Sequence, residues 1–213
     1  MPHITKILSV EKIAPCIYRI LVEKPDEFKF IPGHSIMLAI NKSSLLAEKH
    51  PITFTSTNDE PLLEFHIKTY PERQSFNNLL AALCPGDSLV LGEMFGTIRY
   101  AGPGLFLAGG IGVAPMLAIL RQLKKDHTLE GNTLIYSARF HIDLIAEREL
   151  RQMLGNNLHI TLTKEQREGY HHSRIIAELL QNILPFFPSR EYIIGSELFV
   201  DDMRSLVADL RKK

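Results

Sequence analysis

The chain has 213 residues, 45% of them hydrophobic and 23% charged, enough for one large domain or for two of about 100 residues with separate cores. Lys and Arg number 24, and so do Asp and Glu; a formal net charge of zero argues against non-specific nucleic-acid binding, which needs excess positive charge. The two cysteines, Cys16 and Cys84, make neither a secreted disulfide framework nor the ligand set of an iron–sulfur cluster.

The start, Met1-Pro2-His3-Ile4-Thr5-Lys6, leads into mixed polar residues and not into a signal-peptide core. The most apolar stretch, 104–120, is broken by glycines and by Pro115, so no membrane span is expected and a cytoplasmic location is the default. The first hundred residues read as short strands: Ile17–Val22, Ser35–Ile40 after the Pro32-Gly33 turn, Ile52–Thr57 and Leu63–Lys68. Apolar residues at Phe76, Leu79, Leu80 and Leu83 suit a short helix over Ser75–Leu83. Pro85-Gly86-Asp87 then turns into a strand at Ser88–Leu91, with a further turn at Gly92. Such a series predicts a small antiparallel β-barrel over residues 1–101.

The rhythm changes at Ala101-Gly102-Pro103-Gly104. Leu105–Ala108 reads as a buried strand, followed by glycines and by a helix with Met116, Leu117, Ile119, Leu120 and Leu123 on its inner face. Strands at Leu134–Ser137, Leu158–Leu162 and Tyr192–Gly195 alternate with helices at Leu144–Leu154 and Ile175–Leu184. Strand–helix alternation predicts an α/β domain with a mostly parallel sheet over 102–213.

Between the first strand and helix of this second half stands Gly109-Gly110-Ile111-Gly112-Val113-Ala114-Pro115. Glycines there allow a tight turn and the approach of a pyrophosphate to backbone N–H groups, while the helix N-terminus adds unpaired donors and positive dipole character. Pro115 suits the first helical turn, where its missing N–H costs nothing. The same glycines would equally serve to pack helix on strand. In the first half, His50-Pro51-Ile52-Thr53-Phe54-Thr55-Ser56 alternates, with Ile52, Phe54 and Ser56 on one face and Thr53 and Thr55 on the other.

In order and spacing, these stretches, with the Pro-Gly-Asp turn and the Phe95-Gly96 pair, resemble the ferredoxin–NADP reductase superfamily over almost the whole chain. Later segments fit too: Ser137-Ala138-Arg139, Glu149-Leu150, Tyr192-Ile193-Ile194-Gly195 and Val200-Asp201-Asp202-Met203. The resemblance implies a flavin-binding barrel joined to a nicotinamide-binding α/β domain. It implies FAD, with FMN possible, and NADPH or NADH as co-substrate. Electrons would pass to flavodoxin, ferredoxin, a similar protein or a small-molecule acceptor. On this resemblance Thr53 would bond at flavin N5, with His50, Pro51 and Ile52 completing the motif. His66, Ile67 and Lys68 would line the ribityl and phosphate side, and Ser75 and Phe76 would start a helix offering backbone N–H groups to the pyrophosphate. Gly109, Gly110, Gly112, Pro115 and Gly195 would hold the nicotinamide dinucleotide. Ser137, Arg139, Thr163 and Lys164 would recognise the adenosine ribose or its 2′-phosphate, although Arg139 and Lys164 read equally well as surface charges. No metal is expected.

The sequence departs from the family pattern where His50 stands for Arg, Ile52 for an aromatic, Ile194 for Cys and Ser196 for Pro. A largely neutral histidine cannot form the bidentate guanidinium fork, so weaker or more pH-sensitive flavin binding is expected. Two alternative readings follow: an electron-transfer subunit of a larger oxidoreductase, or a non-catalytic nucleotide-binding module on a decayed reductase fold.

Overall fold

The computed structural model describes residues 3–96, 98–184 and 186–212; Met1, Pro2, Thr97, Pro185 and Lys213 lie outside the described set. Two compact units emerge, Met1–Arg99 with Leu117–Gln122, and Tyr100–Met116 with Leu123–Lys213.

The first unit is built on β1 (His3–Ala14), β2 (Ile17–Glu23), β3 (His34–Ile40), β4 (His50–Thr53), β5 (Leu62–Lys68) and β6 (Ser88–Gly96), with the short helix α1 (Phe76–Ala81). All pairings are antiparallel, in the order β4-β3-β6-β1-β2-β5. The sheet is barrel-like without closing: beyond the end of β4, the bridge Phe54–Phe65 is an isolated link towards β5. Period-2 alternation sends Ile7, Ile20, Val22, Ile36, Leu38, Phe54, Leu63, Phe65, Leu89 and Leu91 into one core. Phe30 stacks on Phe54 at 4.0 Å inside it.

The long strand β1 is absent from the sequence expectation, which passes over His3–Ala14 as mixed polar chain. Its alternation is masked because Lys6, Glu11 and Lys12 face water and register shifts interrupt its pairing with β2. The strand expected over Ile52–Thr57 ends as a ladder at Thr53. β6 differs most. It does not stop at a turn at Gly92 but runs on to Gly96 through a β-bulge, where Leu38 pairs Leu91 while Ile36 pairs Met94. A Cβ on Gly92 would lie 2.9 Å from the Met37 carbonyl oxygen, so the bulge needs glycine there.

In the second unit, β7 (Leu105–Gly109), β8 (Thr133–Ala138), β9 (Leu158–Leu162) and β10 (Glu191–Ile194) form a parallel sheet in the order β10-β7-β8-β9. The helices are α2 (Val113–Lys125), α3 (Glu147–Leu154), α4 (Ala177–Ile183) and α5 (Glu197–Leu210). Leu105, Leu107 and Ile135 on one sheet face pack with Ile175, Leu180, Leu184, Met203 and Val207. Tyr136 is fully buried, and its hydroxyl accepts a bond from the Ile145 N–H at 3.3 Å. α3 starts three residues later than the apolar pattern suggests, because Ala146 at its N-cap takes the left-handed conformation (φ 53°) after a 3₁₀ turn at His141–Asp143. Among the described residues, no helix is long and apolar enough to cross a membrane, and no group of three or more His, Cys, Asp or Glu could hold a metal ion.

Candidate functional site

The glycines after β7 do different jobs. A Cβ on Gly112 would lie 2.3 Å from the Ile194 carbonyl oxygen, so this glycine lets the turn close onto the end of β10. Gly109 and Gly195 lie beneath the Phe199 ring, with added Cβ atoms 2.8 and 2.5 Å from it. Both are packing glycines. Gly110 is the exception: it adopts φ 55°, and nothing lies within 4 Å of its Cβ position. The turn forms a 3₁₀ element, Gly110–Gly112, that runs straight into α2, and Pro115 is buried in the first turn of that helix.

Phe199 has no place in the sequence expectation. It is held at the start of α5 by Ser196, whose Oγ accepts the Phe199 N–H at 3.3 Å. The signal lay in the spacing from Gly195 to an aromatic four residues on, which has meaning only once α5 is folded back over the sheet.

At the ends of β8 and β9, the Thr163 N–H donates to the Ala138 carbonyl at 2.9 Å and the Lys164 N–H to the Arg139 carbonyl at 3.0 Å. Arg139 and Lys164 are thereby neighbours on exposed chain, with half-buried Ser137 and Thr163 beside them. Just beyond lies a cavity of about 480 Å³ lined by His141, Ile142, Leu144, Glu147, Glu165 and Arg167. Glu147 Oε1 accepts from Tyr170 Oη at 2.6 Å and Arg151 Nε at 2.7 Å, and Oε2 lies 3.3 Å from His141 Nε2. Burial pushes the Glu147 carboxyl up, but those two bonds and the charges of Arg151 and His141 hold it below the usual carboxylate range. The cluster spans residues 141–170, so periodicity along the sequence gave no sign of it.

In the first unit, Thr53 and Ser35 are cross-strand partners, and their hydroxyl oxygens are 2.7 Å apart. Thr53 is half-buried, with its side chain on the outer face of the sheet. Ile52 is 7% exposed and belongs to the barrel core, as do Ile67 and Phe76. Those three side chains are therefore not turned towards a ligand; only their backbone is left to contribute. His50 is exposed and stacks on Phe76 at 4.4 Å, while Ser75 caps α1 by accepting the Asn78 N–H. Lys68 is half-buried, with its Nζ 6.0 Å from the Tyr70 ring centroid.

His66 is buried, its Nε2 3.4 Å from Glu64 Oε1. That same carboxylate oxygen accepts from Thr55 Oγ1 and Arg121 Nη1, both at 2.8 Å, and Arg121 Nη1 also reaches the Thr55 carbonyl at 2.7 Å. Burial raises the Glu64 pKa, but the charges of Arg121 and His66 and the bonds from Arg121 and Thr55 reverse the balance, leaving it lowered. This buried polar group also escaped sequence reading, since Glu64 and Arg121 stand 57 residues apart.

Comparison with known proteins adds four findings. Residues 106–205 match the family described as oxidoreductase NAD-binding domain. The chain is 24% identical to the ferredoxin–NAD(P)(+) reductase component of the naphthalene 1,2-dioxygenase system of Pseudomonas putida, over 96% of this chain and 64% of that protein. It is 28% identical to the reductase component of propane 2-monooxygenase of Rhodococcus jostii, over 72% of this chain and 42% of that one. The chain thus spans under two thirds of the first relative and under half of the second. Among solved structures, a ferredoxin NADP+ reductase from Neisseria gonorrhoeae with bound FAD and NADP superposes with a TM-score of 0.85 at 22% identity, over 98% of this chain and 91% of that one. At that identity the likeness is one of fold.

Proposed function

We propose that the chain is an NAD(P)H-dependent flavoprotein reductase of the ferredoxin–NADP reductase superfamily that feeds electrons to a ferredoxin-type acceptor, a reading supported by the oxidoreductase NAD-binding match and by the shared fold. The observation that carries this reading is a coincidence of place. The oxidoreductase NAD-binding match, 106–205, falls on the unit whose strand–turn–helix leaves Gly110 open above a packed glycine turn. An open backbone with φ 55° at the head of a helix fits a pyrophosphate, which needs N–H donors and no side chain in its way. The half-buried Thr53 hydroxyl, bonded to that of buried Ser35, fits the polar edge of a flavin, since a hydroxyl can donate or accept.

In this reading Gly110 and the first turn of α2 hold the dinucleotide phosphates, and Gly109, Gly112, Gly195 and Pro115 keep that turn in place. Ser137, Arg139, Thr163 and Lys164 meet the adenosine ribose; the two adjacent cations support binding of a 2′-phosphate and so of NADPH, with NADH the alternative. Thr53 orients the flavin, for which FAD is proposed over FMN. His50, Pro51 and the backbone of Ile52 border it, as do Lys68 and the backbone of His66, Ile67, Ser75 and Phe76. Flavin held there would supply the redox chemistry between a reduced nicotinamide and the acceptor. The protein's part is to position the groups and exclude water; no acid–base pair is required of it.

The names of the relatives favour a reductase component of an oxygenase system over a free-standing enzyme. The test is the visible spectrum of the purified protein between 300 and 550 nm, with and without added FAD, followed by anaerobic reduction with NADPH and with NADH. A flavin spectrum bleached by either nucleotide is expected. No uptake of FAD or FMN would overturn the reading; uptake without bleaching would favour a non-catalytic module. Faster reoxidation by a ferredoxin than by a small artificial acceptor would support the component reading.

A further inference from the structure

We propose that Phe95 is a contact residue for the flavin ring, supplying the aromatic surface that position 52 does not. The inference rests on the reading that flavin binds at Thr53.

The register of the sheet carries it. Ser35 of β3 pairs with Thr53 of β4 on one side and with Phe95 of β6 on the other. Residues directly opposite across strands share a face, so Thr53, Ser35 and Phe95 form one row on the face turned away from the core, with Ser35 buried between its two neighbours. Phe95 reaches that face only because of the bulge. Leu89 and Leu91 point into the core, and unbroken alternation would send Phe95 inward after them. The extra residue shifts the parity, putting Met94 opposite core residue Ile36 and Phe95 opposite Ser35.

Exposure sets this ring apart. Phe28, Phe30, Phe54, Phe65 and Phe76 of the same unit are all at most 8% exposed, whereas Phe95 is 39% exposed. An exposed aromatic on the same face as the half-buried Thr53 hydroxyl, with buried Ser35 between them, matches the two needs of a planar heterocycle, a π-face to lie against and a polar partner for its edge. Ile52 meets neither need, being enclosed in the core.

Titration of the full chain with FAD, followed by the visible band and by flavin emission, tests the assignment. Phe95→Ala is expected to weaken FAD binding about tenfold. Phe95→Tyr should restore it, and Phe95→Trp should bind FAD and quench its emission, because an indole in contact donates an electron to excited flavin. Circular dichroism of each variant checks the fold; should the alanine variant fail to fold, the tyrosine and tryptophan variants still decide. Wild-type affinity in Phe95→Ala, or unquenched emission from FAD bound to Phe95→Trp, would overturn the role of Phe95 and leave the flavin site standing. Failure of the wild-type chain to take up FAD would overturn both.

Discussion

Single atoms decide what each glycine contributes. Gly112→Ala drives a Cβ to 2.3 Å from a backbone oxygen, so the chain must shift. A loss of about 2–3 kcal/mol of stability is expected, read as a fall in thermal midpoint with or without nucleotide. Gly110→Ala meets no atom and carries only left-handed strain of about 1 kcal/mol. Its expected signature is the reverse: a small change in melting and a marked loss of NADPH affinity by fluorescence titration. Equal effects of the two substitutions on melting would contradict the division of roles. The glycines themselves were legible in the sequence, because turn, strand and helix signals agree around them. Which of the three stays open was not, because that depends on where Ile194 and Phe199 arrive. The same limit applies to His50, Ile52 and Phe76: residue type suggested a motif, but the core claimed two of the three side chains.

Glu64 is the other residue whose surroundings set its behaviour. Its folded pKa lies below its unfolded value, so its contribution is fully present above the usual carboxylate range and is lost as pH falls through the folded pKa. Glu64→Gln removes the carboxylate from the half-buried Arg121 guanidinium, which keeps its bond to the Thr55 carbonyl. The expected cost near neutral pH is about 1.5–3 kcal/mol by denaturant unfolding, with a shallower loss of stability on acidification than in the wild type.

Elements were read well where one pattern governed them. β2, β3, β5, β7, β8 and β9 kept their expected positions, because each buries a continuous or alternating apolar set. They were misread where a neighbour decides. β1 draws its regularity from pairing with both β2 and β6, and the β6 bulge exists only relative to β3. The start of α3 is a local misfit of the same kind: Ala146 bears the left-handed strain usually assigned to glycine or asparagine. Ala146→Gly should therefore raise stability by about 0.5–1 kcal/mol. For a chain of this size that is a rise of roughly 1–4 °C in thermal midpoint, and a fall would show that the strain is relieved elsewhere.

At the scale of the molecule, cofactor and stability are linked. If FAD binds the folded chain alone, FAD at 100 times its dissociation constant should stabilise it by about 2.7 kcal/mol, so the thermal midpoint should climb with FAD concentration. A midpoint indifferent to FAD would count against the flavin reading independently of any turnover assay. Architecture was the most legible level, since strand-rich and strand–helix halves differ in period. The buried Glu64–Arg121 pair and the cavity beside Glu147 were least legible, being assembled from distant positions.

The place of β1 between β2 and β6 has a consequence in time. Its β2 neighbour follows within a few residues, but Lys6 pairs with Ser88 and His3 with Leu91. At about 5–20 residues per second, a ribosome needs roughly 4–17 s to pass from one strand to the other. Throughout that interval one edge of β1 is a row of unsatisfied backbone groups on the nascent chain. Synthesis rate between codons 7 and 88, more than any contact in the finished protein, then sets how long this edge stays open to the wrong partner.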